Sequence, residues 1–202
     1  MRDDERRDRA AQGPLVGGVP DAPGISAAMR LTPGLGTHLR GLADELLVND
    51  FPGATITRQE REFLATTVSA QNDCFFCMDS HAAHATALGG TSDTVEHVTD
   101  LQLGTVQRFD PKLRALIHVA RTVGRRALDL TEADVAAAKA AGASDGDVQL
   151  AVLIAAGFSM YNRMVDGLRA RTPADVEAYA GRAAEIAERG YAAPAGGATK
   201  RS

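Results

Sequence analysis

Cys74-Phe75-Phe76-Cys77, with His81 four residues further on, carries the chemistry most visible in this 202-residue chain, which holds no other cysteine. Two thiols three positions apart suit redox work: one attacks as a thiolate, and the other resolves the product as a disulfide. Successive helical residues turn by about 100°, so Cys74, Cys77, His81 and His84 share one helix face. Cys77 and His81 then stand one turn apart, where the imidazole serves as base or electrostatic partner to the thiol. Cys74 falls in the first turn, where unpaired backbone N–H groups favour a thiolate. Two other readings stay open for the pair, a zinc site and two inert core thiols. Four-ligand zinc geometry fits poorly, because Cys74 and His84 lie about 15 Å apart along one helix.

Glu62 is the third candidate. It precedes the Asn72-Asp73 break by ten residues, and His81 follows that break by eight. If the two helices fold back as a hairpin, the carboxylate comes level with the imidazole and can fix its tautomer. The competing reading is a solvated charge beside Arg61. His38, His97 and His118 have no partner pattern and read as surface or satisfied core residues.

The elements that must position these groups are helical. A first amphipathic helix over 35–48 stops at Asn49-Asp50-Phe51-Pro52-Gly53. Thr57 and Glu60 form a capping box that launches the Glu62 helix. The next helix runs over 74–88 to Gly89-Gly90, and Ser92 caps a short one to about Thr99. Asp110-Pro111 opens a helix to Val123, Thr131 opens one to Ala141, and Ser144 opens the most apolar one, to about Leu168. Thr172-Pro173 caps a last helix that ends at Gly190. The fold class is all-α, with no convincing strand. Residues 1–23, charged and then rich in Gly and Pro, read as a flexible N-terminal arm. Residues 24–191 form the domain, and 192–202 form a flexible tail.

Composition narrows the function classes. The net charge of −4 and the absence of a clustered basic face argue against nucleic-acid binding. The start is charged and gives no secretory pattern. The longest apolar run, 150–160, is short for a bilayer crossing and reads as a buried helix. No membrane association is expected. A cytoplasmic location is, where thiols are held reduced between turnovers.

The spacing Glu62-x(11)-Cys74-x-x-Cys77-x-x-x-His81 resembles the signature of the AhpD-like, carboxymuconolactone decarboxylase-type family. The run from Phe158 to Asp166 is similar to a late helix of its peroxidase-related branch. The decarboxylase branch lacks the cysteine pair, so decarboxylation is not implied. The resemblance implies an all-α AhpD-like domain with a helix hairpin bearing the Cys-x-x-Cys motif. It implies a peroxidase of the alkyl hydroperoxide reductase type without a cofactor. Cys77 attacks the peroxide, Cys74 resolves the sulfenic acid, and Glu62 with His81 relays protons. A dithiol reductant such as a lipoylated protein restores the pair, in a homotrimer or hexamer. Phe76 departs from the His or Tyr frequent at that position. It cannot relay a proton, so either a water bridging Glu62 to His81 or slower turnover is expected. A reading from another class is a non-catalytic redox-sensing or scaffolding oligomer with a switchable disulfide.

Overall fold

The structure is a computed structural model that describes residues 8, 11–89, 94, 97, 98, 100, 101 and 104–192. Its named helices are α1 (Ile25–Leu31), α2 (Pro33–Leu47), α3 (Arg58–Gln71), α4 (Phe75–Gly89), α5 (Pro111–Arg126), α6 (Glu132–Ala140), α7 (Asp145–Leu168) and α8 (Ala180–Arg189). Short 3₁₀ turns follow α5 and precede α8. The all-α expectation holds: among the described residues no strand forms, and an isolated bridge joins Pro23 to Arg171. Ser92 and Thr99, the expected ends of a short helix, lie outside the described residues, as does the tail beyond Ala192.

Local signals set most boundaries. Thr57 and Glu60 satisfy each other's backbone N–H groups at the start of α3. Asp110 caps α5 with Pro111 in the first turn. Ser144 caps α7 through a box closed by Asp147. The last helix departs from expectation. No helix starts at Thr172-Pro173, and the chain bends at 174 and 175. Asp175 instead caps the 3₁₀ turn Val176–Tyr179, which feeds α8. Helix α1 was not expected; its seven residues are too few to display a period.

Helix α7 is the central element. Its 24 residues, Asp145–Leu168, match the span expected from Ser144 to about Leu168, and by length and composition alone it could cross a membrane. Here it is a core helix, with Leu150, Ile154, Phe158 and Tyr161 buried against the rest of the domain. Its first turn lies so close to the 51–55 loop that only Gly146 fits, since a Cβ there would overlap the backbone of Gly53 and Ala54. Asp147 secures the same contact. Its carboxylate accepts from Thr55 N (2.6 Å), Thr55 Oγ1 (2.8 Å), Ile56 N (3.0 Å) and Ser144 N (3.0 Å). One buried side chain thus ties the start of α7 to the approach of α3.

The N-terminal segment contacts this core. Leu15 N donates to Leu168 O at 3.3 Å, Arg171 pairs with Asp21 at 3.1 Å, and Ala22 is buried.

Candidate active site

Helices α3 and α4 form the hairpin that carries the site. The chain reverses at Asn72-Asp73, with Asp73 in left-handed backbone at φ 55°. Asx residues tolerate that region better than most. Helix α7 pins the reversal: Asn72 Nδ2 donates to Asn162 Oδ1 at 2.9 Å, and Asn162 Nδ2 donates to Ser69 Oγ at 3.1 Å. Cys74 follows, with its N–H bonded to Ser69 O and its carbonyl accepting from Met78 N. That places Cys74 at the head of α4 and Cys77 in its first turn.

The hairpin brings Glu62 and His81 together. Glu62 is 1 % exposed, so it is not the solvated charge that its neighbour Arg61 suggested. Arg61 is itself buried and donates to Asn49 O. His81 Nδ1 lies 2.6 Å from Glu62 Oε2. The contact is direct, which removes the bridging water, the first of the two alternatives that Phe76 left. A carboxylate accepts only, so Nδ1 donates, and Nε2 of a neutral ring is left as the basic nitrogen.

A residue that the sequence reading passed over completes the cluster. Tyr191 Oη donates to Glu62 Oε1 at 2.7 Å and lies 2.9 Å from His84 Nδ1. The orientations consistent with all these bonds form one chain. His84 N–H donates to Tyr191, Tyr191 O–H donates to Glu62, and His81 N–H donates to the second oxygen of Glu62. Tyr191 is held by its own backbone. Gly190 turns the chain at φ 78°, and Tyr191 N and Ala192 N both donate to the Asp44 carboxylate, at 2.6 and 3.0 Å. The only hint in sequence is an aromatic residue just past the glycine that ends α8.

Charge in the cluster follows from burial and pairing. Burial pushes the Glu62 carboxyl up, but His81 and His84 prevail and hold it at about 2. Burial lowers His84 more than Glu62 raises it, so that ring stays neutral. Tyr191 is pushed well up by burial and by the Glu62 charge, and it keeps its proton.

The cysteines are reduced, and 0 % (Cys74) and 3 % (Cys77) exposed. A thiol hydrogen bond to Cys77, then burial and the Asp166 charge, push the Cys74 thiol far up. A chamber of about 40 Å³ is lined by Cys77, His81, Phe158 and Tyr191, but not by Cys74. That volume suits about two or three water-sized groups. Phe76, Ile25 and Met29 separate it from a cavity of about 580 Å³ on which His81, His84 and Tyr191 also open. Phe76 packs on Tyr179, ring centres 5.6 Å apart, and forms part of the wall.

Glu62, His81 and His84 could also hold a cation, with donor atoms within 4.8 Å of one another. This set differs from the cysteine-containing one weighed from spacing. The remaining histidines lie elsewhere: His38 is exposed on α2, His118 pairs with Asp134 on the surface, and His97 packs on Phe109.

Comparison with known proteins bears on the same hairpin. The carboxymuconolactone decarboxylase family model matches residues 33–103. No curated protein matches the chain with significance. An uncharacterized peroxidase-related protein from Silicibacter sp. TM1040 superposes with a TM-score of 0.67 at 21 % identity, over 85 % of this chain and 94 % of that one. An alkylhydroperoxidase AhpD core, an uncharacterized peroxidase-related protein from Ralstonia eutropha JMP134, gives 0.65 at 23 % identity, over 85 % and 83 %. The family match spans α2, α3 and α4 with the turn between the last two, a stretch that holds Asp44, Glu62, both cysteines and both clustered histidines, while the fold matches reach across most of the chain. The chain is therefore similar to the carboxymuconolactone decarboxylase family over the helices that build the site, and it shares the AhpD-like fold of the two solved structures.

Proposed function

We propose that this protein is a thiol-dependent peroxidase of the alkyl hydroperoxide reductase type. The observation that carries the reading is the chamber shared by Cys77 and His81, with His81 held at 2.6 Å by the buried Glu62. The Cys77 thiolate attacks the distal oxygen of a hydroperoxide. The S–O bond forms, the O–O bond breaks, and the leaving alkoxide takes a proton delivered through His81, giving an alcohol and a sulfenic acid. The Cys74 thiol then attacks the sulfenic sulfur, releasing water and forming the disulfide. A dithiol donor, such as a lipoylated protein, reduces it by exchange and is itself oxidised to a disulfide. Two features support this division of labour: Cys77 alone of the pair lines the chamber, and the Cys74 thiol is biased toward its protonated form.

The peroxidase-related names of the two structural neighbours accord with this reading. The enzyme works in the cytoplasm as a homotrimer or hexamer. The test is mass spectrometry after one equivalent of hydroperoxide. Cys74→Ser should stop at a sulfenate on Cys77, and Cys77→Ser should consume no peroxide. A sulfenate confined to Cys74 in the Cys77→Ser protein would reverse the roles.

A further inference from the structure

We infer that the large cavity is a binding site for amphipathic carboxylates, and that the hydroperoxide it serves carries a carboxylate at the far end of an apolar chain. The inference deepens the peroxidase reading and rests on it for the word hydroperoxide, though not for the binding site. The cavity is about 580 Å³, within the usual range for small-molecule sites. Its walls include Ile25, Met29, Phe76 and Ile186, which suit an alkyl chain. Its charged lining is of one sign: Arg30, Arg40 and Arg182 contribute, and no Asp or Glu does. In a chain with more Asp and Glu than Lys and Arg, that segregation is a recognition pattern. Arg182 pairs with Glu185 at 2.9 Å, whereas no ion pair engages Arg30 or Arg40 among the described residues. Two guanidinium groups from neighbouring helices, α1 and α2, are thus available, and guanidinium is the donor best matched to a carboxylate.

The inner end explains the orientation. The large cavity and the small chamber share Ile25, Met29, Phe76, His81 and Tyr191 as walls. A ligand with its carboxylate at the arginines lays its chain over the apolar wall and directs its other end toward the Cys77 chamber. There the peroxide oxygens meet the thiolate in the two-electron step above: sulfur is oxidised, the O–O bond is reduced, and the alcohol leaves with its carboxylate unchanged.

Binding is measured first, by calorimetry on the reduced full-length protein, with decanoate and its uncharged methyl ester as redox-inert probes. We expect saturable decanoate binding at least tenfold tighter than the ester, weakening with added salt. In the Arg30→Glu/Arg40→Glu double variant, that preference should fall at least tenfold. The kinetic arm compares Cys77 oxidation by a hydroperoxy fatty acid and by its methyl ester, where the acid-to-ester rate ratio should fall in the same variant. Equal affinity of the wild-type protein for decanoate and ester would overturn the site, and needs no variant to fold. An acid preference that survives charge reversal would equally overturn it. Decanoate bound as expected, with no hydroperoxide consumed, would leave the site standing and remove the peroxidase reading instead. Peroxidase activity with equal rates for acid and ester would remove the carboxylate-bearing substrate and keep the peroxidase.

Discussion

At the residue scale, the site is a row of buried polar groups in which each satisfies the next. Tyr191 is the link that Phe76 does not supply. Its hydroxyl saturates one Glu62 oxygen and occupies His84 Nδ1, leaving the other carboxylate oxygen to His81. Tyr191→Phe should leave His84 Nδ1 without its partner, at a cost of about 1–3 kcal/mol. It should also slow Cys77 oxidation by about tenfold and shift its pH profile, because Glu62 loses the donor on one oxygen and keeps His81 on the other. Stopped-flow oxidation against pH checks this. A destabilised protein with an unchanged profile would make Tyr191 a packing residue only.

The same residues set acid sensitivity. His84 is neutral in the fold because burial lowers its pKa. The unfolded chain takes up that proton below about 6.5, so stability should fall as pH drops through that value. The Glu62 pKa is depressed to about 2. Its contribution is complete above the unfolded value of about 4.5 and is lost as pH falls from there toward 2. Denaturant midpoints should therefore decline between pH 7 and 5 and again below 4.5. In His84→Gln the first decline should flatten. Equal midpoints at pH 8 and 5 in the native sequence would contradict the neutral, buried assignment.

At the element scale, the hairpin depends on contacts distant in sequence. The Thr57–Glu60 box, the Asp110–Pro111 start and the Cys77–His81 turn were legible because each is a local pattern with a local cause. The Glu62–His81 pairing was legible too, since a helix hairpin converts distance from the break into height. Tyr191 was not, because the Asp44 carboxylate that holds its backbone lies 147 positions away. Nor was the delayed start of α8, where a proline pattern that imitates a cap was overridden by Asp175. Asp147 closes the local box at the start of α7, yet it also clamps the approach to α3. Asp147→Ala should strand several buried donors and cost on the order of 3 kcal/mol. Chemical denaturation measures this, and a loss under about 1 kcal/mol would mean that water replaces the carboxylate.

At the scale of the whole molecule, the apolar run 150–160 is buried along one face within one chain. Leu150, Ile154, Phe158 and Tyr161 are buried, which leaves few large apolar side chains of this helix for assembly. Leu153 (45 % exposed) and Met160 (38 %) lie seven positions apart on the outer stripe of α7. We expect light scattering to show a trimer or hexamer at micromolar concentration, and Leu153→Glu to weaken it. A native monomer under those conditions would remove the oligomer.

The central claim is that Glu62, through His81, prepares the Cys77 thiolate for attack. The direct measurement is the second-order rate of Cys77 oxidation by hydroperoxide against pH, in Cys74→Ser protein with and without Glu62→Gln. We expect Glu62→Gln to stay folded, to react about 10²-fold more slowly, and to show an altered pH dependence, because the imidazole loses the buried carboxylate that holds its Nδ1 side at 2.6 Å. Superimposable curves would contradict the relay and leave Glu62 a structural residue beside an ordinary thiol.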